Sequence, residues 1–183
     1  DMVTPIMRIR AKAVNFGIVY GIGAFSLAKD IGVSNKEAKH YIESYLAHYS
    51  GVDSYMKNVV ERAKADGYVE TMFGRRRNLP ELTSSKHMIR AFGERVARNM
   101  PIQGTAADII KIAMIKVDER MKAENLRARL VLQVHDELIV EAPQDESMRV
   151  ALIVQEEMEN AVKMSVPLTA DAAVGRTWYD AKG

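Results

Sequence analysis

The chain has 183 residues, 48% hydrophobic and 27% charged, with no cysteine. That balance is the one expected of a globular protein of cytoplasmic type; it excludes disulfides and thiolate metal sites, and no run approaches the roughly 18 apolar residues of a membrane span. The formal charge of +2 hides an asymmetry, since residues 1–129 carry 22 Lys+Arg against 14 Asp+Glu and residues 130–183 carry 4 against 10, so only the first portion suits a phosphate backbone.

The start, Asp1-Met2-Val3, lacks the form of a signal peptide and suggests an excised piece. Thr4 can cap a helix whose first position is Pro5, and Gly21 and Gly23 supply its stop signal. Within it, Arg8, Lys12, Phe16 and Tyr20 stand four apart and so climb one face. Two cations below and two aromatic rings above suit a ligand with an anionic tail and a flat head, as in a nucleoside triphosphate. The plainer alternative is a solvated basic face followed by two core aromatics.

Ala24–Ile31 reads as a short helix closed by Gly32, and Ser34 with Glu37 forms a capping box for a helix reaching His48. Ala38, Tyr41, Ile42, Tyr45 and Leu46 form the apolar stripe of that helix. Ser50-Gly51 breaks the pattern, and a further helix covers about Val52–Ala65 until Gly67. Tyr68–Met72 has strand character, followed by a turn at Gly74-Arg75-Arg76-Arg77 that is either a solvated charge run or a phosphate contact. Pro80 and Thr83-Ser84-Ser85 make a joint, and the boundary between two lobes is expected near residue 85.

Lys86–Asn99 is helical in pattern and carries Arg90, Arg95 and Arg98. Pro101 should interrupt or kink it, Gly104 should add slack, and helix should resume from Thr105 to Glu124 over a stripe of Ile109, Ile110, Ala113, Met114 and Val117. Gln103 stands beside the expected kink. Arg129–Val134 and Glu137–Glu141 are spaced for a hairpin with His135-Asp136 at its turn, which taken alone is an ordinary polar turn. A helix over about Asp145–Met164 and a last strand over Val166–Val174, opened by Pro167, complete the pattern.

Arg8…Lys12…Phe16-Gly17…Tyr20-Gly21 resembles the fingers-helix motif R-x3-K-x3-F-G-x2-Y-G of family A DNA polymerases, the bacterial DNA polymerase I type. Gln133-Val134-His135-Asp136-Glu137-Leu138 resembles the V-H-D-E motif of the same family, in the right order. Arg95-x3-Asn99-x-Pro101-x-Gln103-Gly104 and the closing Gly175-x-Thr177-Trp178-Tyr179-Asp180 resemble it too.

The resemblance implies an α+β fold: a mainly helical fingers subdomain at 1–85, then the C-terminal half of a palm at 86–183 with an antiparallel β-hairpin and packed helices. It implies template-directed transfer of a dNTP to a primer 3′-OH with release of pyrophosphate. Arg8, Lys12, Phe16 and Tyr20 would bind the dNTP, and Lys12 could also give a proton to pyrophosphate. Arg95, Asn99, Gln103, Gln133 and His135 would touch primer–template DNA. In its minor groove the acceptors are nearly common to all base pairs, so contacts there sense pair geometry.

Asp136 would be a ligand of Mg²⁺, with Glu137 an auxiliary, in a site that takes two ions in the complete enzyme. The family's second aspartate belongs to an upstream motif D-Y-S-Q-I-E that this sequence does not contain, so the chain alone is expected to be inactive. Implied partners are primer–template DNA, dNTPs and the remainder of the polymerase chain (thumb, upstream palm and exonuclease domains), with no membrane. Two other readings stand beside this one: a non-catalytic DNA-binding module that keeps the fold, and a relative of single-subunit RNA polymerases. Phe16 weighs toward deoxynucleotides.

Overall fold

In the computed structural model, which describes residues 2–182, the first helix begins as its sequence requires. Thr4 Oγ1 accepts the Met7 amide at 3.2 Å, Pro5 takes the first helical position, and α1 runs Pro5–Val19. Tyr20 is its C-cap, and Gly21 follows at φ 70, where a side chain would be strained. Gly17 is buried, and a Cβ there would lie 2.7 Å from Ile22 Cγ2. Its lack of a side chain lets the chain fold back after α1.

α2 (Ala24–Ile31) ends at Gly32 in the left-handed conformation. α3 (Asn35–His48) carries the full capping box, with Glu37 N donating to Ser34 Oγ at 3.2 Å and Ser34 N donating to Glu37 Oε2 at 3.0 Å. The Ser34 hydroxyl, which donates to Glu37 Oε2 at 2.7 Å, and after it the Ser34 amide hold the Glu37 carboxyl below its ordinary value. Leu27, Ala28, Ile31 and Ala38 are buried together against Ala13 and Val14 of α1. The α3 stripe is only partly core: Ala38 is buried, Ile42, Tyr45 and Leu46 are half-buried, and Tyr41 is exposed.

α4 spans Ser50–Asp66, so Ser50-Gly51 lies inside the helix and not between helices. The break falls at Tyr49, at φ −104 and ψ 61. β1 (Tyr68–Glu70) pairs antiparallel with β2 (Arg76–Asn78), from Tyr68↔Asn78 to Glu70↔Arg76. Two of the three consecutive arginines are therefore strand residues, and only Arg75 belongs to the turn. Thr71 stabilises that turn, its Oγ1 accepting the amides of Phe73 and Arg75, each at 3.2 Å.

α5 is one helix from His87 to Ala123 and passes through Pro101 without interruption. Proline cannot donate to the carbonyl one turn back. Nearby, Thr105 Oγ1 donates to Pro101 O and accepts the Met72 amide at 3.0 Å. Gly104 does not supply slack. A Cβ there would lie 2.7 Å from Thr71 Cγ2, so this glycine is the point of close approach between helix and hairpin. Asn125, at φ 54, ends α5 together with a 3.0 Å bond from Leu126 N to Met121 O.

β3 (Arg129–Val134) and β4 (Glu137–Glu141) pair antiparallel with a bulge between Leu130 and Leu132. α6 covers Ser147–Glu159, shorter at both ends than expected, and α7 covers Trp178–Lys182. The expected strand over Val166–Val174 is irregular backbone. A strand needs a neighbour to complete its hydrogen-bond ladder, and among the described residues the sheets are the pairs β1–β2 and β3–β4.

The chain divides into two compact units, Asp1–Thr105 and Ala106–Gly183, with the division inside α5. Packing explains the first unit's extent. Val96, Ala97 and Met100 of α5 pack with Val60 and Ala63 of α4, Val69 of β1, and Leu79 and Leu82. The core of the second unit joins Val117 and Met121 of α5 to Val150 and Ile153 of α6, with Leu130, Leu138 and Val140 of the hairpin against them. Val117 and Ile153 are fully buried, worth roughly 1.5–3 kcal/mol each.

Candidate functional site

In the first unit, α1 presents Arg8, Lys12 and Phe16 on an exposed face, with Tyr20 at its end. The two rings are not core: Phe16 is 51% exposed and Tyr20 38%. They stack with centroids 6.2 Å apart and planes 17° apart, and Lys12 Nζ stands 5.9 Å from the centre of the Phe16 ring. Burying such rings against a ligand would remove apolar surface from water. Arg10 lies on another face and is exposed.

A cleft of about 550 Å³ opens beside Tyr20, and the side walls come from α5. Arg95, Asn99 and Gln103, four residues apart, line it together with Tyr20. The structure thus brings these predicted residues into one cavity. Asn99 Oδ1 is buried there and has no hydrogen-bond partner among the described residues. A buried acceptor left unpaired is costly, of order 1–3 kcal/mol. Arg95 also stands over the Phe92 ring at 5.9 Å.

Phe92 and Arg77 line the same cleft, Arg77 as one member of the arginine run and Phe92 as a residue the sequence does not mark. For Arg77 the signal was present in the Arg75-Arg76-Arg77 run, but only the β1–β2 register separates it from its neighbours. Arg76 is turned to its own hairpin, with Nε donating to Glu70 Oε2 at 3.1 Å and the guanidinium over the Tyr68 ring at 4.4 Å. Phe92 carries no sequence signal beyond helical spacing.

In the second unit, Val134 pairs with Glu137, so His135-Asp136 is a two-residue hairpin loop. His135 is at φ 54, a region that a residue with a Cβ enters at a cost. Positive φ at the first loop residue and not at the second matches the type II′ loop, where glycine is usual. Gln133 Nε2 donates to His135 O and bridges the loop. Gln133 and His135 are exposed, and both contribute to the tip.

Asp136 and Glu137 line one cleft of about 870 Å³ together with Trp178 and Lys182. Asp136 is exposed and has neither hydrogen bond nor ion pair among the described residues, whereas Glu137 Oε2 lies 3.3 Å from Lys182 Nζ. Both carboxylates are hard oxygen donors of the kind Mg²⁺ prefers, and the unpaired Asp136 fits the role of ligand. Among the described residues no three His, Asp or Glu side chains gather to hold a metal. Among the described residues no helix is long and apolar enough to cross a membrane.

The model of DNA polymerase family A matches residues 1–180. The chain is 56% identical over 182 residues to DNA polymerase I of Bacillus caldotenax, covering 100% of this chain and 21% of that protein. It is 55% identical over 180 residues to DNA polymerase I of Geobacillus stearothermophilus, covering 98% of this chain and 20% of that protein. A solved structure of the POL domain of Pol1 from M. smegmatis, in complex with DNA primer-template and dNTP, matches with a TM-score of 0.95 and 46% identity, covering 100% of this chain and 32% of that one. The chain therefore spans about a fifth of the length of these curated relatives.

Proposed function

The chain belongs to DNA polymerase family A, and from that premise we propose that it provides the fingers (1–85) and the C-terminal half of the palm (86–183) of a DNA-directed DNA polymerase. The complete protein would transfer a dNTP to a primer 3′-OH on a template strand, releasing pyrophosphate. The observation that carries this function is the exposed Lys12–Phe16–Tyr20 column on α1, which no core residue claims.

Arg8 and Lys12 bind the triphosphate, and their charge is worth most where negative charge accumulates during transfer. Lys12 is also the proton donor to pyrophosphate. Phe16 packs on the sugar and base, and Tyr20 stands at the templating position. Arg95, Asn99 and Gln103 hold the primer–template in the α5 cleft, and Gln133 and His135 approach the primer end from the hairpin. Family membership suggests divalent metal use, and Asp136, with Glu137 as auxiliary, would hold Mg²⁺ from this chain's side. When bound, such cations neutralise charge on the reacting phosphate and favour a deprotonated primer oxygen.

Primer extension by the complete protein on a defined template tests the proposal. Mg²⁺-dependent addition of dNTPs in preference to rNTPs, abolished by Asp136→Asn, is the expected result. Template binding without extension would leave a DNA-binding module, and equal use of rNTPs would point to the RNA polymerase relatives. The 183-residue chain by itself, without a D-Y-S-Q-I-E segment, should not extend a primer; measurable extension by it would refute that expectation.

A further inference from the structure

Glu137 opens β4 beside Asp136, and its carboxylate meets an ammonium 45 residues further along the chain, that of Lys182. Three features bring Lys182 there. The α7 helix is capped reciprocally: Thr177 N and Oγ1 donate to Asp180 Oδ2 at 3.1 and 2.8 Å, and Asp180 N donates to Thr177 Oγ1 at 3.2 Å. Gly175 lets the backbone pass under α7, since a Cβ at that position would lie 2.6 Å from Ala181 N and 2.9 Å from Asp180 C. The Lys182 ammonium also stands 5.3 Å from the centre of the Trp178 ring, on the same helix. Ordering a lysine side chain costs rotamer entropy, and here the fold of α7 has already met part of that cost. Asp136, one residue away, has no such partner among the described residues.

We propose that Lys182 is a positioning residue that reserves the Glu137 carboxylate. A divalent cation arriving at the hairpin tip takes Asp136 as its ligand and meets at Glu137 a carboxylate whose Oε2 is already paired with the ammonium. The inference rests on the assignment of Asp136 as a metal ligand made above. Ammonium and divalent cation repel each other and compete for one carboxylate. The pair is 60% and 40% exposed, so water screens the competition and its effect is modest.

Direct Mn²⁺ titration of the complete protein, without nucleotide or DNA, tests it, with free Mn²⁺ followed by electron paramagnetic resonance. Lys182→Met should tighten Mn²⁺ binding roughly two- to fivefold, the range open to a partly exposed ion pair. Lys182→Arg, which keeps the charge, should leave the affinity at that of the unaltered protein. In a Glu137→Gln background, Lys182→Met should have no effect. Unchanged affinity in Lys182→Met would overturn the proposal. So would equal tightening in the Glu137→Gln background, which would assign the effect to net charge. Asp136→Asn, run in parallel, separates the two layers. Mn²⁺ binding indifferent to Asp136→Asn overturns the ligand assignment and the proposal with it; loss of binding there, with no Lys182 effect, overturns the proposal alone.

Discussion

The ammonium of Lys12 lies 5.9 Å from the centre of the Phe16 ring, and that ring is stacked on Tyr20 at an interplanar angle of 17°. Cation and rings thus form one column on the exposed side of α1. Because none of the three is needed to fill the core, binding and stability should separate on substitution. Lys12→Ala in the complete protein should lower kcat for nucleotide addition roughly 10²-fold, as for loss of one group that stabilises developing charge. The unfolding free energy should change by less than about 0.5 kcal/mol. Single-turnover kinetics and thermal denaturation measure the two quantities. A rise confined to KM would remove the proton-donor role of Lys12.

Asn99 Oδ1 is buried at the α5 cleft without a partner among the described residues. Removing it deletes no hydrogen bond in the free protein. Asn99→Ala should therefore leave stability unchanged or raise it, by up to the roughly 1–3 kcal/mol that an unpaired buried acceptor costs, while weakening primer–template binding several-fold. Fluorescence anisotropy with labelled DNA, set beside urea denaturation, distinguishes this from a structural role. Lost stability with unchanged DNA affinity would place Asn99 in the fold alone.

Gly175 faces the α7 backbone at distances no Cβ can occupy. Gly175→Ala should push α7 away at a cost of order 1–3 kcal/mol, the usual range for overpacking. The loss should be local, because the buried core around Val117 and Ile153 belongs to α5 and α6. Hydrogen exchange of the complete protein should show faster amide exchange across residues 178–182 and no change in β3 or β4. Protection equal to that of the unaltered protein would contradict the close approach.

Glu94 gives the acid side of the stability profile a specific contributor. The hydrogen bond from Lys64, then the charges of Lys64, Arg98 and Arg90, hold its carboxyl below the ordinary value of 4.5, against partial burial that raises it. A depressed folded-state value means that the folded protein binds fewer protons than the unfolded chain there. Its contribution is present above about pH 4.5 and is lost as pH falls through the lower folded value. Glu94→Gln should reduce the drop in stability between pH 5 and acid, and leave the profile near neutrality parallel to that of the unaltered protein. A profile unchanged below pH 4.5 would contradict the depression.

Much of the local structure was legible because it depends on short-range chemistry. Thr4-Pro5, the Ser34/Glu37 box and the glycines at 21, 32 and 67 act within one turn of backbone, and each marks a helix end in the structure. The β3–β4 hairpin followed from its two apolar runs and their spacing. The expectations that failed depended on partners remote in sequence. Of the two outcomes Pro101 allows, interruption or a kink, interruption does not occur: α5 continues through it, with Thr105 linking Pro101 O to Met72 N. Val166–Val174 has strand composition, but composition supplies no ladder.

The same division applies to the candidate sites. The sequence by itself determined that Arg8, Lys12, Phe16 and Tyr20 share a face and that Asp136 sits in a hairpin loop, because both follow from helical period and strand spacing. Only the tertiary structure decided that Phe16 and Tyr20 are surface rings rather than core, and that Tyr20, Arg77 and Asn99 share one cleft. It alone decided that Lys182 reaches Glu137. Exposure and long-range contact depend on where distant segments are packed, and periodicity along one segment carries no record of that.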